Sequence, residues 1–274
     1  MSQNPGQNLS HTGAVRRVTV RDIQKKRDEQ RKVTMLTAYD HVTAALLDRA
    51  GIDILLVGDS LGNVVLGLEN TIPVTMDDMI RHTAAVVRGT RSALVVLDLP
   101  FGTTIDADTA LRASVRAFQE GGCQAVKLEG DERVAPIVKR LTDNGMPVVA
   151  HIGLTPQSVH QLGGYYRHGK TSPEIERLVR SARALQDAGA FAIVLECVVP
   201  EVAREITAEL RIPTIGIGSG SDCGGQVLVV NDLIGLSITP PPSFARPRAN
   251  VAEIIERCAR EYIEEVTAEH RNTR

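Results

Sequence analysis

Short runs of β-branched and other apolar residues alternate along the chain with longer, mixed apolar and polar segments. Such runs are typical of strands buried on both faces, which are parallel strands, whereas the longer segments are typical of amphipathic helices. The pattern therefore predicts an alternation of strands and helices. Eight strands are predicted, at residues 33–38, 53–58, 94–100, 125–130, 146–153, 191–197, 212–220 and 225–232.

Helices are predicted before, between and after these strands. Eight βα units in 274 residues favour one (β/α)8 TIM barrel at residues 18–274, with a C-terminal helix. A doubly wound sheet also fits the alternation, but it typically has a Gly-rich turn after its first strand, which this chain lacks. Residues 1–17 are predicted to be a disordered or loosely ordered tail. The helices are predicted at residues 18–30, 39–51, 76–89, 106–122, 131–145, 174–189, 199–211 and 250–270.

Polar side chains stand where several of the predicted strands end. Asp59, Asp98, Glu129 and Glu196 each follow an apolar run, and His151 ends the fifth run. In an α/β barrel the carboxyl ends of the strands meet at one face, where active sites lie. Converging carboxylates repel one another unless a cation lies among them or one of them keeps a proton. The sequence therefore predicts a metal ion and an acid–base group at this face.

Asp59, Asp98 and Glu129 form an all-oxygen set on three successive predicted strands. Hard oxygen ligands favour Mg²⁺, with Mn²⁺ or Co²⁺ as substitutes. Mg²⁺ usually keeps several waters and takes only one or two carboxylates, so one of the three acids could act through water.

Glu196 ends the sixth predicted strand, across the ring from the three metal acids. This position suits a base that removes a proton from a metal-bound ligand. His151 is expected to make a polar contact with the substrate or with metal-bound water. A zinc site of His151, His160 and His168 is disfavoured because neither spacing matches a zinc signature.

Lys127 lies two residues before Glu129, so alternation along the strand places both side chains on one face. A buried lysine requires a partner, and either an anionic substrate or the acids of the metal site would serve. A Schiff-base lysine, as in metal-independent aldolases, is an alternative. The neighbouring acids favour the metal route.

Composition excludes several classes of function. A net charge of −2, 3% aromatic residues and no Trp argue against nucleic-acid binding. No apolar run approaches the ~18 residues of a membrane span, and the polar first residues lack a signal-peptide pattern. The four cysteines are scattered and predict unpaired thiols in a reducing, cytoplasmic compartment, with Cys197 as a small buried residue. Two long loops, at 59–75 and 154–173, are typical of lids or binding loops.

A set of short motifs from about residue 18 to about residue 245 closely resembles one family. The family is that of the 3-methyl-2-oxobutanoate (ketopantoate) hydroxymethyltransferases. The blocks VGDSLG and H-x-GLTPQS are highly specific in this combination. The motifs are TAYD (37–40), VGDSLG (57–62), PVT (73–75), HTAAV-x-RG (82–89), DLPFG (98–102), VKLEG (126–130), H-x-GLTPQS (151–158), GGY (163–165), VLECV (194–198), GIGSG (216–220) and GQVLV (225–229).

The resemblance implies a barrel of the phosphoenolpyruvate/pyruvate type and the first committed step of pantothenate biosynthesis. A hydroxymethyl group would pass from 5,10-methylenetetrahydrofolate to 3-methyl-2-oxobutanoate through a Mg²⁺-stabilised enolate, giving 2-dehydropantoate. One Mg²⁺ per subunit and a cytoplasmic homo-oligomer, a decamer of two rings, are implied as well.

The resemblance also assigns roles to individual residues. Asp59 and Ser60 would bind the oxo acid, with Asp59 also a metal ligand, and Asp98 would contact both metal and substrate. Lys127 would bind the substrate and Glu129 the metal. Glu196 would be the proton acceptor.

The sequence departs from the family pattern at three places. Gly224 stands where Asp precedes Gly-Gln, His168 stands where Gln is usual, and ITPPPSFAR replaces G-x-x-P-K-F after the eighth predicted strand. Two alternative functions remain open. One is a metal-dependent 2-oxo acid aldolase or lyase on the same barrel, which would not need folate. The other is an inactive barrel kept for binding or assembly, although both Lys127 and Glu196 are present.

Overall fold

A computed structural model describes residues 16–269, and within them eight parallel strands close into a barrel in chain order. The ring closes where β1 pairs with β8, so that Met35 lies beside both Ile54 of β2 and Val227 of β8. The predicted (β/α)8 barrel is confirmed. The strands are β1 (Val33–Thr37), β2 (Ile54–Val57), β3 (Leu94–Asp98), β4 (Ala125–Glu129), β5 (Val148–Gly153), β6 (Ala192–Glu196), β7 (Thr214–Ile217) and β8 (Gly225–Leu228).

Most helices lie on the outside of the barrel, and two short ones, α3 and α7, lie within the predicted long loops. A π-helical turn at Ala117–Gly121 extends α5. The α-helices of the described residues are α1 (Val20–Asp28), α2 (His41–Arg49), α3 (Leu61–Val64), α4 (Met76–Gly89), α5 (Ala107–Arg116), α6 (Ala135–Asp143), α7 (Val159–Leu162), α8 (Ser172–Asp187), α9 (Pro200–Glu209), α10 (Val230–Ile234) and α11 (Val251–Glu269).

The strands bury both of their faces, as their apolar runs predict. Ile54 and Leu56 point into the barrel, whereas Leu55 and Val57 pack against the surrounding helices. Ile23 of α1 is fully buried and belongs to the inner cluster, so α1 packs against the barrel interior. The barrel interior is therefore a packed core rather than a pore.

The eighth strand was predicted too long, because β8 ends at Leu228 and residues 230–234 form α10. The VLVV run has high β-propensity, but pairing with β1 stops at Leu36 and Leu228. Beyond that point the N–H of Val230 donates to Oγ1 of Thr37 at 2.9 Å, and the chain turns into a helix. Tertiary contact therefore overrides local propensity here.

The two ends of the described chain differ in their contacts. The predicted tail lies outside the described residues except for Arg16 and Arg17, and Arg17 donates to the carbonyl oxygen of Thr90 at 2.8 Å. Helix α11 occupies the predicted C-terminal helix and exposes Ile255 and Tyr262. Across residues 16–269, no helix combines the length and the apolar character that a membrane span needs.

Candidate active site

A cavity of about 510 Å³ opens at the carboxyl ends of the strands. Its walls come from several strands and from the loops that follow them. The predicted site residues that meet there are up to 137 residues apart in sequence, from Asp59 to Glu196. All seven sequence-predicted site residues line this cavity: Asp59, Ser60, Asp98, Lys127, Glu129, His151 and Glu196.

Lys127 and Asp98 form a buried ion pair on neighbouring strands, where the two residues are partners in register. Nζ of Lys127 lies 2.8 Å from both carboxylate oxygens of Asp98, and the residues are 5% and 2% exposed. Burial and the nearby Asp59 raise the pKa of Asp98, although Lys127 lowers it. Burial lowers the pKa of Lys127, but Asp98, Asp59 and Glu129 raise it more, so the amine stays protonated.

Asp59 and Glu129 are linked through Gln157, which lies in the loop after β5. The side-chain amide of Gln157 donates to Oδ2 of Asp59 at 2.9 Å, and its backbone N–H donates to Oε1 of Glu129 at 2.7 Å. Burial raises the pKa of Glu129 well above its ordinary value, and the charge of Asp59 raises it further. The two carboxylates are therefore held close enough to repel each other.

His151 of β5 lies between two glutamates from the neighbouring part of the ring. Its Nδ1 is 3.5 Å from Oε2 of Glu129, and its Nε2 is 3.2 Å from Oε2 of Glu196. Both ring nitrogens are buried, and neither has a hydrogen-bond partner of good geometry among the described residues. Burial lowers the pKa of His151, and the charge of Lys127 lowers it further, which favours the neutral ring.

Ser60 follows β2 and begins the turn into α3. Its hydroxyl lies 2.8 Å from the hydroxyl of Tyr39, which is buried under the same end of the barrel. Burial raises the pKa of Tyr39, so this phenol keeps its proton. The contact fixes Ser60 at the cavity wall.

The chain reverses sharply after Glu196, because Cys197 adopts a left-handed conformation with φ of 51°. The N–H of Cys197 donates to the carbonyl oxygen of Ile217 at 2.8 Å, and its own carbonyl oxygen accepts from the N–H of His168 at 2.8 Å. Burial raises the pKa of the Cys197 thiol to about 11, and Glu196 adds to this effect. The thiol is therefore protonated at neutral pH. Cys197 is only half-buried, less than the sequence predicted.

The acids of the cavity have the chemistry of a cation site. Asp59, Asp98 and Glu129 offer only oxygen atoms, and the charge of Asp59 raises the pKa of both Asp98 and Glu129, so a divalent cation among them would relieve repulsion. Within residues 16–269, no group of three or more His, Cys, Asp or Glu side chains is arranged so that it could hold a metal ion without other ligands. Mg²⁺ needs only one or two carboxylates, with water and substrate oxygens completing its octahedron, so the residues fit this ion.

Three residues at the cavity were not predicted as site residues. Gln157 lies inside the H-x-GLTPQS block. It is recognised as a site residue only from its burial, which the sequence does not show. Tyr165 ends the GGY motif and Tyr166 follows it; both line the cavity and are about half exposed. Two adjacent tyrosines in a chain with 3% aromatic residues were a usable signal for a binding rim.

A closed barrel with an acid-lined cavity at its carboxyl face is typical of barrel enzymes. Solved structures share this fold. Phosphoenolpyruvate phosphomutase from Streptomyces platensis subsp. rosaceus matches with a TM-score of 0.59 and 16% identity, over 78% of this chain and 82% of that one. A 2,3-dimethylmalate lyase, a PEP mutase/isocitrate lyase superfamily member, matches with a TM-score of 0.58 and 18% identity, over 92% of this chain and 88% of that one. This likeness shows the fold alone, a closed (β/α)8 barrel.

Sequence similarity then identifies the family. The profile of the ketopantoate hydroxymethyltransferase family matches residues 17–271. The 3-methyl-2-oxobutanoate hydroxymethyltransferase of Syntrophus aciditrophicus is 50% identical over 252 residues, which are 92% of this chain and 93% of that one. The enzyme of the same name from Chloroflexus aurantiacus is 52% identical over 250 residues, or 91% and 89%. The chain belongs to the ketopantoate hydroxymethyltransferase family, as its motifs predicted.

Proposed function

We propose that this protein transfers a hydroxymethyl group from 5,10-methylenetetrahydrofolate to 3-methyl-2-oxobutanoate, giving 2-dehydropantoate for pantothenate biosynthesis. The observation that carries the proposal is the arrangement of one cavity. A buried Lys127–Asp98 pair adjoins Asp59 and Glu129 on one side, and Glu196 lies on the other. The name of the relatives supports the substrate.

The oxo acid would bind on the side of the cavity that holds Lys127. The protonated amine offsets the negative charge of the substrate carboxylate, and the Ser60 hydroxyl offers a hydrogen bond. Asp59, Asp98 and Glu129 would hold Mg²⁺, which as a Lewis acid stabilises negative charge on the oxygen of the keto group. With the oxo acid held at this wall, C3 would face Glu196 on the other side of the cavity.

Glu196 would remove the proton from C3 of the oxo acid. Its side chain is 18% exposed, which makes it more open to the cavity than Glu129, at 6%. The electron pair of the C3–H bond becomes the enolate double bond. Water would hydrolyse the methylene bridge of the folate: both C–N bonds break, N5 and N10 take the two protons of the water, tetrahydrofolate leaves, and the carbon remains as formaldehyde. C3 then bonds to this carbon, and the oxygen of the opened C=O bond takes the proton from Glu196. The ring of His151 lies beside this carboxylate, with Nε2 3.2 Å from Oε2 of Glu196.

The folate would lie along the rim formed by the loop after β5. Tyr165 and Tyr166 are 58% and 45% exposed there, and flat rings stack well on such side chains. Arg167 also lines the cavity and would pair with a carboxylate of the folate tail. Phe244 completes the apolar part of the wall from the segment after α10.

The test is product formation from 3-methyl-2-oxobutanoate and 5,10-methylenetetrahydrofolate, before and after removal of divalent cations with a chelator. We expect no turnover by the stripped enzyme and recovery on addition of Mg²⁺. Full activity of the metal-free enzyme would contradict the metal assignment. Cleavage or condensation of 2-oxo acids without folate would instead favour the metal-dependent aldolase or lyase.

We propose in addition that the enzyme is a homo-oligomer, with a second copy covering α11. This helix exposes Ile255, Tyr262 and Ile263 by 54%, 68% and 58%, an apolar face that packing would bury. Light scattering after size exclusion would test this, and a monomer would contradict it.

A cytoplasmic location is supported by the four free cysteines, since thiols stay reduced there.

A further inference from the structure

A single buried amide side chain connects the acids on one side of the cavity. Nε2 of Gln157 donates to Oδ2 of Asp59 at 2.9 Å and to the carbonyl oxygen of Leu99 at 3.0 Å. The backbone N–H of the same residue donates to Oε1 of Glu129 at 2.7 Å. Gln157 is 8% exposed. One residue from the loop after β5 therefore reaches the ends of β2, β3 and β4.

Local structure explains why the backbone N–H is available. Pro156 opens the 3₁₀ turn Pro156–Ser158, and Thr155 before it makes no side-chain cap. Proline has no N–H, so the first free donor of the turn is that of Gln157. Glu129 accepts this hydrogen bond and so takes the place of the missing cap.

The side chain adds a second, independent constraint. Both partners of Nε2, a carboxylate oxygen and a carbonyl oxygen, can only accept, so the orientation of the amide is fixed. An amide donor directs a carboxylate without cancelling its charge. Lys127, by contrast, donates to both oxygens of Asp98 and neutralises that acid.

We propose that Gln157 is a positioning residue that sets the separation and orientation of Asp59 and Glu129 for a divalent cation. The inference rests on the proposed function, in which these acids hold the metal. The side chain orients Asp59, and the backbone orients Glu129. Replacing the side chain therefore releases Asp59 and the Leu99 carbonyl oxygen but leaves the hydrogen bond to Glu129 in place.

The experiment compares Gln157→Met with the wild-type enzyme. Methionine keeps the length of the side chain and removes its donors. Binding of Mn²⁺ is measured by electron paramagnetic resonance on folded protein, together with the thermal midpoint. We expect 10–100-fold weaker Mn²⁺ binding, the usual effect of losing a group that orients a metal ligand. Gln161→Met, an exposed glutamine in the same loop, is the matched control and should bind Mn²⁺ like wild type.

Wild-type Mn²⁺ affinity in Gln157→Met, with or without a lower thermal midpoint, would overturn the inference and leave Gln157 as a loop anchor only. If Gln157→Met does not fold, Gln157→Asn provides the same comparison, because its shorter amide cannot bridge Asp59 and Leu99. Absence of Mn²⁺ binding in the wild-type enzyme would instead refute the proposed metal function. The two failures are therefore distinguishable.

Discussion

Gly153 of β5 lies directly beside Glu196 of β6, and a Cβ atom on Gly153 would come within 2.2 Å of the Glu196 carbonyl oxygen. Gly153 also has φ of 96°, which side chains rarely allow. The next residue, Leu154, donates its N–H to the same carbonyl oxygen at 2.8 Å. Only glycine lets the loop after β5 leave the barrel this close to the proposed base.

Gly153→Ala should therefore displace Glu196 and lower turnover by about 10²-fold, since shifts near 1 Å are enough for such losses. We also expect a lower free energy of unfolding. The positive φ should cost about 1–2 kcal/mol, and the overlap of the new Cβ atom with the Glu196 carbonyl oxygen should cost more. Steady-state kinetics and urea unfolding measure the two effects. Gly145→Ala is the control, because Gly145 has φ of 79° but open space around a Cβ atom. Equal kinetics in both variants would refute the steric argument.

Glu196→Gln keeps the shape of the side chain and removes the proposed proton acceptor. We expect turnover to fall by about 10²–10⁴-fold while 3-methyl-2-oxobutanoate still binds. Deuterium exchange at C3 of the oxo acid, followed by proton NMR, should fall in parallel. Exposed Glu201 on α9 supplies the control, Glu201→Gln. Exchange at the wild-type rate in Glu196→Gln would mean that another group is the base.

Lys127→Met separates the roles proposed for the lysine. Removing the charge should raise the KM for the oxo acid about tenfold or more. It also leaves Asp98 buried without its partner, which should lower the free energy of unfolding by about 3–5 kcal/mol. Kinetics and urea unfolding measure these effects, with Lys139→Met on the outer helix α6 as the control.

The Schiff-base alternative has its own readout. Borohydride added with the oxo acid should give no covalent adduct if Lys127 is a charge partner. A substrate-dependent mass increase on the peptide that contains Lys127, seen by mass spectrometry, would refute the metal route and favour an aldolase with a covalent intermediate.

Asp48 should make the barrel acid-sensitive. Its carboxylate accepts the N–H groups of Arg91, Ser92 and Ala93 at 2.9, 2.9 and 2.7 Å. Burial raises the pKa of Asp48, but these hydrogen bonds lower it more, so it lies below the ordinary 3.8. Because the folded-state pKa is depressed, the stabilisation is complete above the unfolded pKa and is lost as the pH falls through the folded value.

Asp48→Asn should therefore lower the free energy of unfolding by about 2 kcal/mol or more at pH 7, because the NH₂ group of asparagine cannot accept hydrogen bonds from the backbone N–H groups. The difference from wild type should shrink as the pH falls below about 4. Urea unfolding at several pH values measures this, with exposed Asp187→Asn as the control. A difference that stays constant down to acid pH would contradict the assignment.

Strand positions and the acids at their ends could be predicted from sequence because burial on both faces imposes long apolar runs. The run at Ile54–Val57 and the acid at Asp59 illustrate this. The end of β8 could not be predicted, because it depends on a hydrogen bond from the N–H of Val230 to the hydroxyl of Thr37, which is 193 residues away in sequence.

The role of Gln157 was beyond sequence for the same physical reason. Its bond to Asp59 spans 98 residues and exists only once the barrel has closed. No local pattern distinguishes it from exposed Gln161 in the same loop. Motif resemblance marked the block that contains it, but the partners follow from three-dimensional contact.

The N–H of His168 also has a consequence for protein engineering. This donor ties the loop that carries Tyr165 and Tyr166 to Cys197, the residue after Glu196. The loop proposed to bind folate and the peptide after the proposed base are therefore joined by a hydrogen bond. A loop grafted from another barrel to change the one-carbon donor must supply a backbone donor at position 168. Without it, the graft would alter proton removal as well as donor choice.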